Sequence, residues 1–220
     1  MFTVIEIYNN CSFDSSFRSE FGYSCYIKEA GLLFDTGGNG DILLKNLEAA
    51  GIGPEDIERL VISHDHWDHT GGLKVFFEKN KYVDAYFLND FSEGLLEAGR
   101  KNSSLNIIRG WTEIYPDIFL TGSLGDDIKE QSLAIRSDSG YFVIAGCSHP
   151  HICNILSFIR KFGEVKGVIG GLHDVSDDDL RSLSGIDYIA VSHCTKRISE
   201  IEEMYGPCFK KSGVGFVHRI

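Results

Sequence analysis

The sequence has no apolar run approaching the ~20 residues that span a bilayer, no CxxC pair, no basic run longer than Lys210-Lys211, and no low-complexity tract or obvious linker. Each absence excludes something. The amino terminus, Met1-Phe2-Thr3-Val4-Ile5-Glu6, lacks a basic region followed by a long apolar stretch and a small-residue cleavage site, so export is not signalled. The six cysteines (Cys11, Cys25, Cys147, Cys153, Cys194, Cys208) are then expected as free thiols in a reducing, cytoplasmic setting. With 21 basic against 32 acidic residues the net charge is −11, which disfavours counterion-driven binding to a phosphate backbone. Neither nucleic acid nor membrane is an expected partner, a small-molecule substrate is, and nothing in the sequence signals an oligomeric state. At 220 residues and 43% hydrophobic, the chain can bury a full core and reads as one domain, residues 1–220.

What is present is concentrated in Ser63-His64-Asp65-His66-Trp67-Asp68-His69-Thr70-Gly71-Gly72-Leu73, directly after the apolar Leu60-Val61-Ile62. Three histidines and two aspartates in six positions would repel one another or go unpaired without a cation, so the stretch reads as a metal site. His64 and His66, two apart, share a side only on extended backbone, which places the first ligands where a strand ends. Thr70, Gly71 and Gly72 are expected to turn the chain sharply into a helix opening at Leu73. Trp67 is expected to pack under this loop, with an aromatic wall for a ring-shaped substrate as the alternative.

Along the chain, Phe2 to Tyr8 alternates as a strand, and Asn9 to Gly22 is polar loop. Tyr23 to Ile27 and Leu32 to Phe34 suggest a hairpin. A helix follows from Asp41, its expected cap, to a stop at Gly51. Beyond the cluster, helices are expected over Leu73 to Asn80, Phe91 to Lys101, His151 to Phe162, Asp177 to Leu183 and Ile198 to Tyr205. Strands are expected over Asp84 to Leu88, from Leu105 toward Trp111, within Ile114 to Leu120, and over Leu133 to Arg136, Tyr141 to Ala145, Val165 to Ile169 and Ile186 to Val191, with a closing strand over Gly213 to Val217. Alone, this pattern says α/β or α+β.

Three apolar strands run into Ser-His: Leu60-Val61-Ile62 into Ser63-His64, Val143-Ile144-Ala145 through Gly146-Cys147 into Ser148-His149, and Ile189-Ala190-Val191 into Ser192-His193. A fourth, Val168-Ile169, runs through Gly170-Gly171-Leu172 into His173. Seven of the eight histidines, all but His218, fall at such exits, and aligned strand ends are where α/β proteins assemble sites. Asp35, at the end of Leu32-Leu33-Phe34, is suited to orient a metal-bound histidine from behind.

His64-Asp65-His66-Trp67-Asp68-His69, followed by Thr-Gly-Gly-Leu, resembles the HxHxDH signature of the metallo-β-lactamase superfamily, and Leu33-Phe34-Asp35-Thr36-Gly37 resembles its earlier strand ending in Asp-Thr-Gly. The resemblance covers most of the chain. It implies an αββα sandwich of two mixed sheets packed face to face with helices outside, and two divalent metal ions, zinc first, iron or manganese as alternatives. One ion would be held by His64, His66 and His149, the other by Asp68, His69 and His193. Gly146-Cys147 stands where many members have Gly-Asp with a bridging carboxylate, so Cys147 is either a thiolate ligand or a small buried packing residue, and Asp174 is a further carboxylate candidate. His173 is read as a proton donor or substrate contact, against a helix-capping role. His151 is read as a helix-start residue rather than a ligand.

The implied activity is that of a hydrolase whose dinuclear centre and bridging hydroxide attack a small ester, lactone or phosphoester, with Asp68 orienting the nucleophile. The segments around Cys147, His173 and His193 also resemble the branch that includes dihydropterin ribofuranosylaminobenzene 5′-phosphate synthase-like proteins, making a pterin-related synthase the alternative. Arg18, Lys74, Lys196 and Arg197 are then candidates to meet a phosphate. A non-catalytic metal-binding protein is the weaker reading, because binding alone has no need of an exposed hydrolytic centre.

Overall fold

A computed structural model describes all 220 residues, Met1–Ile220. In chain order the elements are β1 (Thr3–Tyr8), β2 (Ser24–Ile27), β3 (Leu32–Phe34), α1 (Gly40–Ala49), β4 (Arg59–Val61), α2 (Trp67–Thr70), α3 (Leu73–Lys79), β5 (Asp84–Leu88), α4 (Glu93–Asn102) and β6 (Ser104–Ile108). There follow β7 (Thr112–Tyr115), β8 (Ile118–Leu120), β9 (Leu133–Ser137), β10 (Gly140–Ala145), α5 (Ile152–Ile159), β11 (Val165–Gly171), α6 (Asp177–Ser182), β12 (Tyr188–Ser192), α7 (Ile198–Tyr205) and β13 (Val217–Arg219). They form two compact units, Met1–Arg109 with Gly213–Ile220, and Gly110–Ser212. The class is α+β, as expected, with two mixed sheets and their helices.

The first unit carries a seven-stranded sheet in the order β13-β1-β2-β3-β4-β5-β6. The expected hairpin is present as antiparallel β2 and β3, while β3, β4, β5 and β6 pair in parallel. Parallel neighbours leave the sheet at one edge, so the residues after β3 and β4, Asp35 and Ser63-His64, emerge side by side. Helix α1 buries Leu43 and Leu47, each worth about 1.5–3 kcal/mol of removed apolar surface. Its cap is Asn39 rather than Asp41: Asn39 is extended and its side chain accepts from the Asp41 and Ile42 N–H groups, which puts Asp41 in the first turn. The polar loop before β2 is tethered by the buried Asn46, whose amide donates to the Ile7 and Arg18 carbonyls at 2.8 Å and accepts from the Arg18 N–H. The remaining histidine, His218 on β13, is buried and bonds Glu6 on β1 at 3.0 Å, with Asn9 on the other carboxylate oxygen at 2.6 Å. A buried carboxylate in this position is tolerated only because it is paired and hydrogen-bonded.

The second unit carries a six-stranded sheet in the order β12-β11-β10-β9-β8-β7. β10, β11 and β12 are parallel, and β7 to β10 are antiparallel neighbours. Its core joins Val143, Val168 and Ile189 of the sheet to Ile152, Ile155 and Leu156 of α5, Leu180 of α6 and Ile201 of α7. Trp111 is stacked between Phe119 and Phe162, with ring centroids at 4.9 and 4.0 Å. No helix of either unit is long and apolar enough to cross a membrane.

The chain after His66 departs from the expected sharp turn. A short helix, α2, already begins at Trp67, with His66 as its extended cap, and Gly71 and Gly72 have right-handed helical φ and ψ. These glycines serve close approach instead of conformational freedom, since a Cβ on Gly71 would meet the Gly38 carbonyl oxygen and one on Gly72 the Thr36 carbonyl oxygen. The same geometry turns Trp67 outward. It is 63% exposed and stacked on Phe21 at 5.8 Å, so it forms an aromatic surface instead of packing under the loop.

Candidate metal centre

In the first unit, Asp35, His64, His66, Asp68 and His69 come together. Asp35 is fully buried, with φ 58, a left-handed conformation that aspartate adopts more readily than most residues. Its carboxylate accepts from the Ser63 N–H and the Ser63 hydroxyl at 2.7 Å and from His69 Nδ1 at 2.7 Å. Because the Ser63 proton is committed to Asp35, Ser63 Oγ accepts from His64 Nδ1 at 2.8 Å. The network thus assigns the Nδ1–H tautomer to both His64 and His69 and leaves each Nε2 as a metal-type donor. His64 Nε2 lies 3.1 Å from His66 Nδ1, His69 Nε2 lies 3.4 Å from Asp68 Oδ2, and the His64 and His69 ring centroids are 4.2 Å apart.

Electrostatics point the same way. Burial alone would lower the His69 pKa, but Asp35 and Asp68 outweigh it and hold it up to about 10. The cluster favours a positive charge beside Asp68, a place a divalent cation fits.

In the second unit, the parallel run of β10, β11 and β12 brings Cys147, His149, His173 and His193 out at one sheet edge. Three of these exits contain a residue with positive φ: Ser148 at 60°, His173 at 45° and His193 at 55°. Backbone strain of this kind is kept where surrounding contacts over-determine it. Ser148 Oγ donates to the Gly171 carbonyl at 2.8 Å, the Leu172 N–H donates to Thr195 Oγ1 at 3.0 Å, and the Lys196 N–H donates to the His173 carbonyl at 2.9 Å. Glu130, buried to 1% exposure, accepts from the N–H groups of Gly146, Cys147 and Ser148 with Oε1 and from that of His149 with Oε2, at 2.8–3.1 Å. The His149 and His173 rings are 4.7 Å apart, and Cys147 Sγ is 3.2 Å from Cys194 Sγ. The Cys147 hydrogen bond, against burial and with help from His193 and His173, pulls the Cys194 thiol down to about 3.

The other sequence candidates sit as follows. Asp174 is exposed and paired with Lys196, with His173 Nε2 3.8 Å from its other oxygen. Arg197 is paired with Asp177 and Glu200. His151 opens α5, as expected, and its Nδ1 bonds Asp179 Oδ2 at 2.8 Å. Sequence reasoning missed Ser63 as a relay, Glu130 as the anchor of the Cys147 loop, and Cys194 as the neighbour of Cys147. Only Cys194 carried a signal, its place directly after a strand-exit histidine. A cavity of about 490 Å³ opens beside His149, bordered by Asp126, Asp127, His151 and Asn154.

Asp179 also supports a stability prediction. Burial would raise its pKa, but the Cys153 N–H, the Ser176 hydroxyl and N–H, and His151 together lower it from 3.8 to about 2. A depressed carboxyl stabilises the fold in full above its unfolded pKa and stops doing so as pH falls through the folded one, here worth about 2 kcal/mol. The stability gap between the protein and Asp179→Asn in urea titrations is expected to narrow by that amount between pH 3.8 and about 2. A gap independent of pH would contradict the assignment.

The family model described as the metallo-beta-lactamase superfamily matches residues 21–161. Among curated proteins, the 7,8-dihydropterin-6-methyl-4-(beta-D-ribofuranosyl)-aminobenzene-5′-phosphate synthase of Methanocaldococcus jannaschii is 27% identical, over 89% of this chain and 87% of its own length. Among solved structures, Tm1679, a metal-dependent hydrolase of the beta-lactamase superfamily, aligns with a TM-score of 0.85 at 25% identity, covering 100% of this chain and 99% of its own. Human tRNase Z, short form, aligns with a TM-score of 0.65 at 12% identity, covering 99% of each chain.

Proposed function

The chain belongs to the metallo-β-lactamase superfamily, and from that premise we propose that it is a metal-dependent hydrolase acting on a small ester or lactone, with phosphoesters less favoured. The proposed ligands for divalent cations, zinc being the first candidate, are His64, His66, Asp68 and His69 in the first unit and His149 and His193 in the second. When bound, such cations supply an activated water and polarise the bond under attack. The observation that carries the reading is the relay ending on Asp35, which holds Nδ1 of His64 and His69 and turns their Nε2 atoms toward His66 Nδ1 and Asp68 Oδ2. A carboxylate serving only as a structural anchor has no need to dictate the proton positions of two imidazoles. In this reading Asp68 orients the attacking water, and His173, with Nε2 3.8 Å from Asp174 Oδ2, is a substrate contact through its Nε2–H.

Preference for an uncharged substrate follows from the cations. Lys196 is paired with Asp174 and Arg197 with Asp177 and Glu200, while Asp126 and Asp127 border the cavity beside His149. A phosphate would have to displace those carboxylates, and exposed pairs of this kind are weak, so the preference is modest. The purified protein is expected to hold about two divalent ions and to hydrolyse esters or lactones until a chelator removes them. Fewer than about one bound ion per chain by elemental analysis would sink the proposal.

The second reading is a pterin-related synthase, favoured by the 27% identity along nearly the whole chain to the Methanocaldococcus jannaschii synthase. Incubation with a dihydropterin and a ribosyl-aminobenzene phosphate separates the two, because a condensation product without ester hydrolysis selects the synthase.

A further inference from the structure

We infer that Cys147, Cys194 and His173 form a soft-metal site of their own, which takes one thiophilic cation of the zinc class. The two Sγ atoms are 3.2 Å apart, and these sulfurs and one imidazole nitrogen of His173 all lie within 4.8 Å of one another. A tetrahedral ion with bonds of about 2.3 Å to sulfur and about 2.0 Å to nitrogen needs ligand atoms roughly 3.3–3.8 Å apart, so small side-chain shifts suffice. All three residues lie in the second unit, and each leaves a different parallel strand: Cys147 follows β10, His173 β11 and Cys194 β12. Their spacing is therefore set by the sheet and not by a mobile loop.

Two details fit a ligand role better than simple packing. Gly171 lets the Cys147 loop and Cys194 close together over it, since a Cβ there would meet the Gly146 carbonyl oxygen first and would stand 2.9 Å from Cys194 Sγ. His173 Nδ1 is buried with no oxygen or nitrogen acceptor, and the ring acts instead on the Cys194 thiol, whereas Nε2 lies 3.8 Å from Asp174 Oδ2. A buried ring nitrogen whose one polar neighbour is a thiol is better satisfied by a cation shared with that sulfur. A cation on Nδ1 would satisfy that atom and fix the proton on Nε2, the outward nitrogen. The site uses none of the six ligands proposed above, and it claims for itself the Cys147 thiolate, whose sulfur also lies within 4.8 Å of a His193 ring nitrogen.

The test uses Co²⁺ as a spectroscopic stand-in on the reduced full-length protein. One equivalent should give a thiolate-to-cobalt charge-transfer band both in the unmodified protein and in a His64→Ala/His66→Ala double variant, and the band should be lost in Cys194→Ser. In parallel, zinc at tenfold its Kd should slow alkylation of Cys194 about tenfold while leaving the exposed Cys11 unaffected. This second measurement needs no variant to fold. No band in the unmodified protein, a band that survives Cys194→Ser, or Cys194 alkylation unchanged by zinc would each overturn the assignment. So would recovery of Cys147 and Cys194 as a disulfide in place of a metal complex. A band in a double variant that hydrolyses nothing leaves this site standing, whereas a missing band with hydrolysis intact removes this site alone.

Discussion

Replacing Glu130 with alanine is expected to destabilise the protein by about 4 kcal/mol or more, a larger effect than most single substitutions produce. The carboxylate is buried and accepts four consecutive backbone N–H groups, Gly146, Cys147, Ser148 and His149. Each buried donor left unsatisfied costs about 1–3 kcal/mol, and water entering the vacated space offsets only part of that. Glu130→Gln should fall between the two. Its Oε1 can still accept the three N–H groups of Gly146, Cys147 and Ser148, but its NH₂ would face the His149 N–H donor to donor. Urea unfolding midpoints at neutral pH measure both variants. An alanine variant within about 1 kcal/mol of the parent would show that the loop holds its shape without the carboxylate. The loop carries Cys147 and His149, so the same substitution should also weaken metal binding in proportion to the lost order.

Glu130 marks the limit of what the amino-acid order discloses. The strand exits that carry histidines were legible, because β4, β10, β11 and β12 are short apolar runs that end in histidine-bearing segments, and parallel pairing aligns the ends of β10, β11 and β12 within their sheet. The pairing of Asp35 with a histidine and the place of His151 ahead of α5 were legible from local chemistry, a carboxylate at a strand end and a histidine before an apolar helix. Glu130 was not, because nothing within a few residues of it signals that its oxygens reach a loop sixteen residues later. Ser63 was hidden for a different reason. A serine beside a histidine is common, and only the direction of its hydroxyl proton, set by Asp35, makes it a relay. The misread turn after His66 has a third cause. In sequence Gly71 and Gly72 read as conformational signals, but in this fold they provide clearance against the backbone of Gly38 and Thr36. The cap of α1 is a similar case, since Asn39 and Asp41 are both good caps in sequence and Asn39 is the one on extended backbone whose side chain reaches the first-turn N–H groups.

His66→Ala separates chemistry from folding. The residue sits on extended backbone at the start of α2, and its carbonyl, not its ring, accepts the His69 and Thr70 N–H groups and the Thr70 hydroxyl. The turn therefore has no need of the imidazole, the ring is only partly buried, and the change in stability without metal should stay within about 1 kcal/mol. Metal binding is another matter. Structural zinc sites gain about 10–16 kcal/mol from four ligands, so one lost ligand costs about 3 kcal/mol, roughly a hundredfold in affinity. Activity at limiting metal should fall at least as far, and added metal should restore part of it, because His64 keeps its proton on Nδ1 through Ser63 and still presents Nε2. Competition against a chromogenic chelator reads the affinity, and hydrolysis across a metal titration reads the rescue. An alanine variant with full activity at limiting metal would remove His66 from the ligand set and, with it, the proposed centre in the first unit.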